Sequence, residues 1–89
     1  NYWADDPPIT VSDERCRWLL VEHEGKATLL LATWNPQPNE VTLTIQPESL
    51  EAGSPTAATD PESGEALPLA GNTLTLPMPG YGVRFVTLK

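Results

Sequence analysis

The residues of this chain that could do chemistry are twelve carboxylates, one histidine and one cysteine. Two carboxylates hydrolyse glycosides when they face each other about 5–10 Å apart in a cleft, with unlike pKa values. Here Asp5, Asp6, Asp60, Glu62 and Glu65 fall in turn-forming stretches, and most others lie at strand ends or on the polar side of alternating strands. Acids so placed read as a solvated surface. Nucleophilic catalysis by His23 needs a Ser or Cys partner and an orienting acid. Cys16 lies on the same strand pattern, roughly 23 Å away at about 3.3 Å per residue, so the two form no dyad. It reads instead as a buried, inert thiol. Zinc needs three or four nitrogen or sulfur ligands, and His23 and Cys16 are only two. For calcium there are Asp5, Asp6 and backbone carbonyls, without EF-hand spacing. Gly80-Tyr81-Gly82 is a bare G-x-G with no helix after it, not a phosphate loop. No catalytic residue, metal or cofactor is expected, so the chain by itself does not read as an enzyme.

Aromatic rings make a different kind of site. An exposed indole can stack on a sugar face while nearby amides bond its hydroxyls. Trp34, Asn35 and Gln37 have that composition, and Trp3 is a second exposed-ring candidate. The competing reading is packing. Trp18 and Trp34 come from adjacent strand patterns, and a small core needs them. Tyr2 and Trp3 stand outside the strand pattern, where packing on a neighbouring domain is expected. Packing is the stronger of the two expectations.

The elements that must position these groups follow from composition. The chain has 89 residues, which is one domain, and ten are proline, a load that excludes long helices. Net charge is −7, from five basic and twelve acidic residues, so there is no electrostatic footprint for nucleic acid or an anionic membrane. No apolar run is long enough to span a bilayer as a helix. One cysteine allows no internal disulfide and leaves the redox compartment, and with it the localisation, undetermined. The start at Asn1 rather than Met points to a piece of something longer.

Along the chain, residues 1–14 read as an extended leading segment or linker, in which Pro7-Pro8 is followed by the short alternation Ile9 to Val11. A single domain over 15–89 then runs strand after strand. Cys16 to His23 and Lys26 to Trp34 flank Glu24-Gly25, a two-residue hairpin loop. Asn35 to Asn39, with two prolines, is a loop. Glu40 to Gln46 alternates Val41, Leu43 and Ile45 with polar residues, as a half-exposed strand does. Pro47 to Glu51 suits one helical turn. Thr56 to Thr59 and Glu65 to Leu69 flank the Asp60-Pro61-Glu62-Ser63-Gly64 turn. Pro68 marks an edge. Gly71-Asn72 turns into Thr73 to Leu76, Pro77 to Gly82 is a corner, and Val83 to Leu88 closes the domain. The predicted fold is all-β: an antiparallel sandwich of about seven to eight short strands, Greek-key or immunoglobulin-like.

This order of features resembles the C-terminal β-sandwich that follows the catalytic (β/α)-barrel of many glycoside hydrolases, an accessory domain of the kind seen in the α-amylase superfamily. The matching stretches are Gly25 to Trp34, Val41 to Ile45, Asp60 to Glu65, Leu74 to Pro77 and Gly82 to Leu88. The Tyr2-Trp3 opening and the strand after it look most like family 123-type barrel glycosidases. Thr33 stands where the family often has Asn, which implies a differently braced loop after that strand. The resemblance implies a non-catalytic module that packs against and stabilises the barrel of its own polypeptide, with the catalytic carboxylates on the barrel and none on this chain. The alternatives are a carbohydrate-binding module using Trp3, Trp34, Asn35 and Gln37, and an immunoglobulin-like spacer or adhesion domain.

Overall fold

A computed structural model describes residues 7–89. Nine strands form two antiparallel sheets: β1 (Ile9–Val11), β2 (Cys16–His23), β3 (Lys26–Thr33), β4 (Asn39–Ile45), β5 (Ala58–Thr59), β6 (Ala66–Leu67), β7 (Leu69–Ala70), β8 (Thr73–Met78) and β9 (Val83–Leu88). One sheet has the order β1-β4-β8-β7 and the other β2-β3-β9-β5-β6. The predicted all-β sandwich is the observed architecture.

Alternation decides which side chains meet between the sheets, because successive residues of a strand point to opposite faces. Leu20, Leu29, Leu31, Val86 and Leu88 turn inward from the five-stranded sheet. From the other sheet come Ile9, Val41, Leu43, Ile45, Leu74, Leu76 and Met78, and together they form one apolar cluster. Truncating one such leucine to alanine costs about 2–5 kcal/mol, since a packed interior collapses only partly around the gap.

The connections follow the expected turn chemistry where that chemistry is local. Glu24 and Gly25 have φ of 50° and 79°, and His23 pairs with Lys26 across them. Two successive positive φ values match the twist of the strands they join, and glycine at the second position takes that conformation without cost. The Asp60 carboxylate accepts the backbone N–H groups of Glu62 and Ser63, closing the next turn. Pro47–Ser49 makes a single 3-10 turn rather than an α-helical one.

Three features differ from the sequence reading. Ile9–Val11 is extended, as its alternation suggests, but as β1 it belongs to the sandwich rather than to a leading segment, and Ile9 pairs with Ile45 and is buried. Glu65 to Leu69 is two strands instead of one. Pro68 alone stands between β6 and β7, which lie at the free edges of different sheets, so the chain changes sheet there. Finally, β8 runs on through Pro77, opposite Glu40. The proline is tolerated because β7 pairs only as far as Leu74, so no neighbour on that side needs its missing N–H.

Candidate functional site

The polar candidates gather at one end of the sandwich, where the β3–β4 loop meets the segments before β2 and β9. Thr33 is the last residue of β3 and points inward, although it is polar. Its hydroxyl accepts the Asn35 backbone N–H at 3.1 Å. The Asn35 side chain, 5% exposed, then works in two directions. Its Oδ1 accepts the Gln37 N–H at 3.0 Å, and its Nδ2 donates to Asp13 Oδ2 at 3.0 Å. Asn39 donates to the same carboxylate oxygen at 3.0 Å. Its own Oδ1 is buried with no hydrogen-bond donor among the described residues.

Asp13 is thereby saturated. Oδ1 accepts the Arg15 backbone N–H at 2.9 Å and the Arg15 Nε–H at 3.3 Å, while Oδ2 holds both amides. The Arg15 backbone N–H, followed by the Asn35 amide, holds the Asp13 carboxyl at about 2, below the usual carboxylate range. A carboxylate this stable as an anion cannot act as a general acid near neutral pH. An open hollow of about 640 Å³ lies beside it, lined by Ser12, Asp13, Glu14, Arg15, Asn39 and Glu40. That lining contains no histidine or cysteine.

A second carboxylate, Asp60, is held below its ordinary value mainly by the Glu62 and Ser63 backbone N–H groups. Arg84 reaches it at 3.5 Å and donates to the Pro77 carbonyl at 2.8 Å, tying β9 to the opposite sheet. Cys16 is buried, which pushes its thiol pKa up, and His23 is at the far end of the same strand. Among the described residues no three His, Cys, Asp or Glu side chains are grouped to hold a metal ion. Asp5 and Asp6 lie outside the described residues.

Of the four ring-site candidates, Trp3 also lies outside the described residues. The other three adjoin in sequence but do different things. Trp34 is 48% exposed, with the Arg17 guanidinium 5.0 Å from its ring centroid. This cation–π contact covers one ring face. Asn35 is a brace whose amide is fully engaged within the fold. Gln37 is exposed at the loop tip. The packing reading of the sequence puts Trp18 and Trp34 in the core or against a neighbouring domain, and the structure bears on the core alone. Only Trp18 packs against it; Trp34 is one step beyond the inward Thr33 and therefore points out.

Tyr81 is a ring that sequence reasoning missed. It is 71% exposed, and its N–H donates to the Asn35 carbonyl at 2.9 Å. Thr33 N–H donates to the Gly82 carbonyl, so one more step of the β3–β9 register sets Tyr81 opposite Trp34. Gly80 makes this approach possible: a Cβ there would lie 2.5 Å from the Pro36 carbonyl oxygen. The only sequence signal was the Gly-x-Gly spacing around Tyr81, set aside as a failed phosphate loop.

No protein-family model matches the chain, and no curated protein matches it in sequence. Among solved structures the chain is similar to alpha-galactosidase I from Mortierella vinacea, with a TM-score of 0.67 at 18% identity. The match covers 85% of this chain and 21% of that one, so this chain spans about a fifth of that enzyme's length. At such identity the likeness is one of fold.

Proposed function

We propose that this chain is a non-catalytic accessory β-sandwich of a larger glycoside hydrolase, packed against the catalytic domain of the same polypeptide. The observation that carries this reading is the fold likeness to a minor part of an enzyme whose name is that of a glycoside hydrolase. The chemistry of the chain agrees with it. Asp13, Asn35 and Asp60 spend their bonds on bracing the fold. In this reading the glycoside-cleaving carboxylates belong to the partner domain, and the sandwich contributes stability.

The test is the reading frame through Asn1. A preceding barrel bearing a carboxylate pair supports the proposal. A lone segment, or head-to-tail copies of the sandwich, overturns it, and tandem copies would favour a spacer or adhesion domain.

A second reading, carbohydrate binding, is favoured by the exposed rings of Trp34 and Tyr81 at the adjoining ends of β3 and β9. Titration of soluble glycans against tryptophan fluorescence tests it. Saturable quenching lost in Trp34→Ala supports it, and flat traces across the panel reject it.

A further inference from the structure

The two outer faces of the sandwich differ in kind. On the four-stranded sheet the outward residues are mainly threonines: Thr10, Thr44 and Thr73 share one cross-strand row, and Thr42 and Thr75 share the next. The hydroxyls of Thr42 and Thr75 are 3.1 Å apart, in hydrogen-bond contact. Such a face is content in water.

The outer face of the five-stranded sheet is not. Leu19, Leu30 and Phe85 stand side by side across β2, β3 and β9. Val21 and Val83 extend this row along β2 and β9, with Val21 59%, Leu19 61%, Val83 61% and Phe85 37% exposed. Scattered surface leucines are ordinary, but a contiguous apolar row on neighbouring strands marks an interaction surface.

Charge adds a second, independent feature. The chain has a net charge of −7, yet no strand of this sheet turns a carboxylate to this face, and the acid at its hairpin edge, Glu24, lies 3.6 Å from His23. The one acid within the strands of this sheet, Glu22, has the inward parity of Leu20, and its carboxylate accepts the Glu51 N–H. Outward positions at the β2–β3 side hold Arg17, His23 and Lys26 instead.

We infer that this face, centred on Leu19, Leu30 and Phe85, is where the sandwich docks on the neighbouring domain of its own polypeptide, a surface with an apolar centre and an acidic rim. The inference rests on the accessory-module reading and deepens it by assigning the face. A second copy of the chain fits poorly, because self-pairing brings together two bodies of charge −7. An anionic bilayer is disfavoured by the same net charge.

The experiment is maleimide labelling, read peptide by peptide by mass spectrometry, on the full-length polypeptide and on residues 1–89. Leu19→Cys probes the apolar face and Thr75→Cys the threonine face, with circular dichroism confirming the fold of each. Modification of Leu19→Cys should be roughly tenfold slower in the full-length protein than in residues 1–89, because a thiol reacts as it is exposed, and Thr75→Cys should react alike in both. Slowing at Thr75→Cys alone overturns the assigned face and leaves the accessory reading intact. Equal rates at both positions overturn face and reading together. Slowing of Leu19→Cys in residues 1–89 as their concentration rises, with a dimer in sedimentation, makes a second copy the occupant and overturns the assignment.

Discussion

Asn35 donates its side-chain amide to the carboxylate of Asp13, 22 residues earlier in the chain, at 3.0 Å. The bond fastens the β3–β4 loop to the segment before β2, and Asn39 repeats it from the start of β4. Removing Asn35 takes the acceptor from the Gln37 N–H and leaves Asp13 Oδ2 with Asn39 alone, while removing Asp13 leaves both amides without their acceptor in a largely enclosed place. Asn35→Ala is therefore expected to cost about 1–3 kcal/mol in urea denaturation. Asp13→Ala strands two amides at once and should cost more than Asn35→Ala. Equal, near-zero effects for both would show that the brace is idle.

Stability should also depend on acid in a defined direction. The folded pKa of Asp13, about 2, is below its unfolded value near 3.9, so its contribution is complete above the unfolded pKa. It is lost as pH falls through the folded pKa, a window of about pH 4 to 2. Asp60, also lowered, acts in the same sense. Melting temperature followed from about pH 6 downward should fall across this window. Asp13→Asn should start lower and fall less.

Gly80→Ala tests the close approach of two loops. The added methyl would meet the Pro36 carbonyl oxygen at 2.5 Å and the carbon at 3.0 Å, both backbone atoms that cannot swing aside. A lower melting temperature is expected, with a red shift of Trp34 emission as the β3–β4 loop is displaced. Unchanged stability and emission would mean that the loops separate freely.

Leu30 and Leu31 are neighbours on β3 with opposite fates. Leu31 is 0% exposed in the core, so Leu31→Ala should cost about 2–5 kcal/mol in residues 1–89. Leu30 faces outward, and Leu30→Ala in the same chain should cost under about 1 kcal/mol. If the proposed docking covers this face, Leu30→Ala should be more harmful in the full-length polypeptide than in residues 1–89.

Local chemistry was legible in the sequence, and long-range chemistry was not. The Glu24-Gly25 hairpin, the Asp60 turn and the alternation of β4 each depend on residues within a few positions of one another. Each appears as read. The split at Pro68 depends on which sheet each half joins, and no residue nearby encodes that. Asn35 read as a sugar ligand because its partner is far off in sequence. The spacing Thr33-x-Asn35-x-Gln37 is the available hint, each side-chain oxygen of the first two accepting the backbone N–H two residues on. The alternation of β3 turns Thr33 inward and so fixes Trp34 outside the core.

The central claim is that this chain assists glycoside chemistry without performing it. The most direct measurement is hydrolysis of a panel of aryl glycosides by the full-length polypeptide and by purified residues 1–89. The expected result is turnover by the full-length protein and none by residues 1–89 alone. Turnover by residues 1–89, or a full-length protein inert toward every glycoside tested, would contradict it.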